Sequence, residues 1–194
     1  MPERRGTGVW WKVLLTATAL ALPAGAADSP GVGQPLPGFT GKDVLGQEHS
    51  SQEYEGNPTL LVAITDKNAG DEMRRWFDAA DQHASASVQR ESIISLRLPF
   101  FVSMGTVRSR VKNQVPRPYW DDTLVDRNGA LAETLGLDSS KVPYVFALDA
   151  SGRVLAAVHG KVDSPQASRI WSSLNKTPAP NTSPPGDSPG SGEK

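Results

Sequence analysis

The sequence predicts an α/β domain: a central mixed sheet flanked by helices, with an N-terminal β-hairpin extension. Three observations predict it. Thr59 to Ile64 is an unbroken apolar run, as expected of a strand buried on both faces. Met73, Trp76, Phe77, Ala80, Ala84 and Val88 then recur at three- and four-residue steps, the stripe of an amphipathic helix over 71–89. Pro143 to Leu148 and Arg153 to His159 are apolar runs joined by Asp149-Ala150-Ser151-Gly152, a link short enough to make them an antiparallel hairpin.

The remaining elements follow in order. Phe39 to Lys42 and Gln47 to Ser50 flank Asp43-Val44-Leu45-Gly46 and read as a small hairpin. Ser51 to Glu55 is a helical turn ended by Gly56. Asp71 and Glu72 suit the first turn of the long helix, where the dipole is positive. Ser92 to Leu98 is the next strand, so strand, helix and strand form a parallel right-handed crossover. A helix through 106–111, a short strand at 123–125, a turn at 127–129 and a short helix over 130–135 follow. Ser164 is the expected N-cap and Pro165 the first residue of a last helix over 164–175, with Ile170, Trp171 and Leu174 as its buried stripe.

Both ends differ from this body. Arg4, Arg5 and Lys12 precede the apolar run Val13 to Leu22, which is too short to span a bilayer. Pro23 ends it, and Ala24-Gly25-Ala26 offers the small residues of a cleavage site. Residues 1–26 are therefore expected to be a signal peptide cut after Ala26, which makes the chain periplasmic or secreted. Residues 27–33 are a Gly/Pro-rich lead-in, and 34–176 the domain. Residues 177–194 are dominated by Pro, Ser and Gly; they cannot bury enough apolar surface to offset ordering entropy and are expected to be disordered.

Composition narrows the chemistry. The chain has no cysteine, which excludes disulfides, thiolate catalysis and a lipidated N-terminus. Without residues 1–26 it keeps 17 basic and 20 acidic residues, a net charge of −3. Such a chain is a poor nucleic-acid binder, and no membrane insertion is expected after signal cleavage. The three histidines, His49, His83 and His159, lack ligand spacing, so no metal and no cofactor are expected. Ser103, Ser109, Ser139 and Ser140 have no base identifiable in the sequence.

Four segments carry a resemblance. Gly33-Gln34-Pro35-Leu36-Pro37-Gly38-Phe39 resembles an opening G-x-x-x-P-x-F. Asp43 to Gln47 resembles a D-x-x-G-K/Q hairpin, and Gly56 to Val62 a G-K-P-x-L-V-x lead into the central strand. Val142 to Val154 resembles V-P-x-x-F-x-x-D-x-x-G-R-V, the most specific of the four. Together they resemble the thioredoxin-like superfamily, in its TlpA and peroxiredoxin-type branch. Met104 to Arg110, Trp120 and Val125 to Gly129 are also similar to the cysteine-less YtfJ-type periplasmic proteins.

The resemblance implies a thioredoxin-like fold and places Asn68 and Asp71 at the two dithiol positions. Neither can be a thiolate, so the family's redox activity is not expected. Pro143 stands at the family's cis-proline position, which implies a cis Val142–Pro143 bond beside a peptide-binding edge. Asp66, Lys67, Trp120 and Val142 are the candidate partner-binding residues, Trp120 because it lies among Arg108, Arg110, Lys112, Arg117 and Arg127. The function expected is a redox-inactive protein-binding or scaffold module, not an enzyme, with an envelope protein as partner. The alternative is an enzyme using metal or carboxylate chemistry at Asp66 and Asp71.

Overall fold

The computed structural model describes residues 29–176. The expected signal peptide, its cleavage site and the expected disordered tail lie outside the described residues. Hairpin strands β1 (Thr40–Lys42) and β2 (Glu48–Ser50) lead through a 3-10 turn at Ser51–Tyr54 into β3 (Thr59–Ile64). Then come α1 (Gly70–His83), β4 (Gln89–Ser95), α2 (Met104–Lys112), β5 (Thr123–Asp126), α3 (Ala130–Thr134), β6 (Tyr144–Leu148), β7 (Val154–His159) and α4 (Ala167–Lys176).

The main sheet has the order β5-β4-β3-β6-β7. Strands β3, β4 and β5 run parallel, and β6 and β7 run antiparallel to their neighbours. All six residues of β3 are buried, which explains the absence of a polar alternation in its sequence. Its side chains still divide by period two. Leu60, Val62 and Ile64 pack with α1, α2 and α4, and Leu61 and Ala63 pack on the opposite face with α3. Trp76 anchors the first layer: it is fully buried, and its indole N–H donates to Gly160 O at 3.1 Å.

Boundaries differ from expectation by three residues or more at α1, at both ends of β4 (Ser95, not Leu98, is its last residue) and at α4. Helix α1 stops at His83, not Gln89, because Ala84 turns to extended backbone and Ser85 Oγ accepts from Ser87 N. Ala84 and Val88 keep the helical spacing but reach the core from a loop. Strand β4 accordingly starts earlier, at Gln89, whose N–H donates to Pro58 O. Helix α4 begins at Ala167, not Ser164. The Ser164 hydroxyl is buried without a partner among the described residues, so it does not cap; its carbonyl accepts from Ala167 N instead.

Candidate functional site

The carboxyl ends of β3, β4 and β5 share one end of the sheet, where open α/β folds place their ligands. Strand β6 starts at that end, because Tyr144 pairs with Ala63. Three segments therefore meet the start of β6 there: 65–70, 96–103 and 127–129. Thr65 fastens the first of them to the segment that leads into β6. Its hydroxyl donates to Asp138 O at 2.8 Å and accepts from Ser140 N at 2.9 Å.

The residues at the expected dithiol positions, and Asp66 beside them, carry local structural work. Asp66 caps the 3-10 turn Lys67–Ala69, its Oδ1 accepting from Asn68 N and Asn68 Nδ2, both at 2.7 Å. Lys67 and Asn68 are exposed. Asp71 is exposed too and lies 3.6 Å from Arg74, one helical turn on. Asp66 and Asp71 thus face different partners and form no carboxylate pair. Among the described residues, no group of three or more His, Asp or Glu is placed to hold a metal.

Two expectations are corrected here. The Val142–Pro143 bond is trans, as is every peptide bond among the described residues. Trans is the ordinary state of an X–Pro bond, favoured by about 0.5–1 kcal/mol. Pro143 is buried, and its carbonyl accepts from Gly160 N at 3.0 Å, so it continues the β6–β7 pairing. The second correction concerns Trp120. Asp66, Lys67 and Val142 share the carboxyl end of the sheet, but Trp120 precedes β5 and sits at the opposite end. Its indole N–H donates to Val115 O at 2.9 Å, and Lys112 Nζ lies 5.0 Å from its ring.

Sequence reasoning missed the most exposed apolar feature. Phe100 and Phe101 are 90% and 75% exposed and meet edge to face, with ring centroids 5.8 Å apart. Their loop is braced. Val102 N donates to Pro99 O, Leu98 N donates to Arg127 O, and Arg127 Nη1 donates to Phe100 O at 3.1 Å and Val102 O at 2.8 Å. Two phenylalanines adjacent in sequence after a proline were the available signal.

The structure also assembles a titratable cluster under the hairpin. His49 lies between Glu53 and Asp43, and Asp43 is fully buried, with Oδ1 accepting from Gly46 N and Gln47 N. The Glu53 hydrogen bond, and then that of Asp43, holds the His49 pKa above its usual 6.5 against the effect of burial. Glu91, buried in β4, is pushed up to about 8 by burial. Burial likewise raises Asp122 and Tyr54. One serine does gain a base. Ser140 Oγ lies 2.7 Å from His159 Nε2, and that ring stacks on Tyr144 at 4.0 Å. Among the described residues, no carboxylate orients the imidazole from its other nitrogen, so the pair lacks the third member of a hydrolytic triad.

No protein-family model and no curated protein matches this chain. Solved structures do. The thioredoxin domain of a thiol-disulfide oxidoreductase from Bacteroides vulgatus is 14% identical, with a TM-score of 0.55 over 76% of this chain and 98% of that one. The pneumococcal exposed lipoprotein thioredoxin from Streptococcus pneumoniae is 18% identical, with a TM-score of 0.52 over 71% and 99%. BsSco, of the Sco family of cytochrome c oxidase assembly proteins, is 14% identical, with a TM-score of 0.53 over 77% and 98%. The fold is thioredoxin-like. On it this chain sets no cysteine at all.

Proposed function

We propose that this chain is an exported, redox-inactive thioredoxin-like domain that works as a protein-binding module in the periplasm or outside the cell, with an envelope protein as its partner. The observation that carries the reading is the braced Phe100–Phe101 pair at the carboxyl end of the sheet. Exposing two adjacent rings is unfavourable in water, and rigid presentation lowers the entropy cost of docking them. The absence of cysteine removes thiol exchange as the competing use of that end. Among the described residues, no helix is long and apolar enough to cross a membrane.

A photo-crosslinking residue at position 101, introduced into the chain in its native envelope, tests the proposal. A discrete protein adduct is expected there and not from Gln82, which is exposed on α1. The same smear from both positions would overturn it, as would reduction of a model disulfide by the purified chain alone.

A further inference from the structure

Two open clefts adjoin at Arg127 and Asn128. One, of about 380 Å³, runs past Arg97 and Phe100. The other, of about 360 Å³, lies between β1 and β5, over Met104, Val125 and Leu131, with Lys42 and Arg108 on its walls. Arg108 is the unusual member. It is half-buried, and its Nε is buried with no hydrogen-bond partner. Among the described residues, no carboxylate forms an ion pair with it. Its Nη1 rests against Gly46, 3.2 Å from where a Cβ would stand, and Gly46 has φ +98°. A glycine therefore suits both the turn and the close approach of the guanidinium.

The nearby acids do not neutralise this cation. Asp126 is spent on Ser95 Oγ, Asn128 N and Leu131 N, and Glu133 is paired with Arg97 at 2.8 Å. Glu48 lines the second cleft too, but it stands opposite Lys42 in the hairpin register and is exposed. Lys42, Arg108 and Arg127 against Glu48 and Asp126 thus leave the second cleft with one surplus positive charge above an apolar floor. A half-buried cation without a counter-ion costs stability unless something supplies one.

Resting on the binding-module reading, we propose that this double cleft takes an extended acidic peptide. A carboxylate of the partner meets Arg108, with Lys42 and Arg127 adding charge. A neighbouring aliphatic or aromatic side chain of the partner packs along the groove toward Phe100. An open groove with cations and apolar floor side by side fits a chain of alternating side chains better than a small ion.

The test pans the immobilised full chain against a phage-displayed library of random dodecapeptides. Sequences pairing Asp or Glu with a nearby apolar residue are expected to be enriched. Synthetic copies should bind Arg108→Gln roughly tenfold more weakly or worse, and should weaken as salt rises. Lys42→Gln, on the exposed rim, should give a smaller loss in the same direction, and it serves if Arg108→Gln fails to fold. Enrichment without acidic bias, or equal affinity for the variants, overturns the proposal. Peptides that crosslink only to residues 65–71 or 140–143 remove this site and leave the binding module standing. No enrichment at all removes this site, while the crosslink at position 101 decides the binding module by itself.

Discussion

The imidazole Nδ1 of His49 lies 2.8 Å from Glu53 Oε2, tying strand β2 to the turn that follows it. The other nitrogen lies 3.4 Å from Asp43 Oδ2, in the loop of the same hairpin. One imidazole ring so connects three pieces of the N-terminal extension. Glu53 also closes a capping box, accepting from Ser50 N at 2.8 Å. On the adjacent face of the sheet, Glu91 accepts from Gln89 Nε2 and is otherwise sealed from water.

This arrangement predicts stability that declines with rising pH. Both His49 and Glu91 hold a proton more tightly folded than unfolded. Each proton's contribution is complete below the unfolded pKa, 6.5 for His49 and 4.5 for Glu91, and is lost as pH rises through the folded value. For Glu91 that span runs from 4.5 to about 8. Glu53 and Asp149, held below their usual values, act in the opposite sense, but only in more acid solution. Urea unfolding at a series of pH values should therefore show a slope of about 1.4 kcal/mol per pH unit for each proton released. Glu91→Gln should flatten most of that slope, and His49→Gln the part that sets in above its unfolded value of 6.5. A wild-type profile that is flat or rising across this range would contradict the argument.

Gly129→Ala should destabilise the same end of the sheet that presents the phenylalanines. Gly129 has φ +79°, and a Cβ there would stand 2.7 Å from Arg97 Cγ. Left-handed backbone costs an ordinary residue about 1 kcal/mol. Arg97 must also move, and with it the bond to Glu133. A loss of about 1–2 kcal/mol in urea unfolding is expected. An unchanged midpoint would show that the turn can rebuild around a side chain.

The parts of the fold visible in the sequence were those set by local pattern. An unbroken apolar run can only be a doubly buried strand here, so β3 was legible. The β6–β7 hairpin was legible from its four-residue link. The end of α1 was not, because Ala84 and Val88 continue the helical spacing while contacting the core from a loop. At the candidate site, the counting from β3 places Asn68 and Asp71 where the 3-10 turn runs into α1. Trp120 was not: its basic neighbours suggested a surface hot spot, but the direction of β5 carries it to the far end of the sheet. The His49 cluster depends on hairpin register and on a strand forty residues away, which no spacing rule reveals.

That distinction separates two aromatic variants. Phe101→Ser removes a ring that is 75% exposed, so stability should change by no more than about 0.5 kcal/mol while partner binding falls. Trp120→Ala removes a half-buried ring that packs on the core, bonds Val115 O and sits under Lys112. It should cost about 2–4 kcal/mol, and any binding defect should follow the loss of fold. Thermal unfolding of both variants, read beside crosslinking yield, decides the matter. A destabilised Phe101→Ser, or a fully stable Trp120→Ala with lost binding, would reverse the assignment.

The double substitution Asn68→Cys with Asp71→Cys tests whether the fold still holds its dithiol geometry. The two positions lie three residues apart, where the 3-10 turn Lys67–Ala69 runs into α1. One turn apart on a helix, Cα atoms stand about 5 Å from each other, inside the range a disulfide spans. Asp66 would keep its bond to the backbone N–H of residue 68 and lose only the one to the Asn68 side chain. The dipole at the start of α1 should also lower the thiol pKa at position 68 below about 8.5. Mild oxidation is therefore expected to give a monomer two hydrogens lighter by mass, with no free thiol. Thiol titration should show one group ionising below its usual range. Disulfides formed only between chains, or none, would mean that Asn68 and Asp71 do not occupy the positions the resemblance gives them.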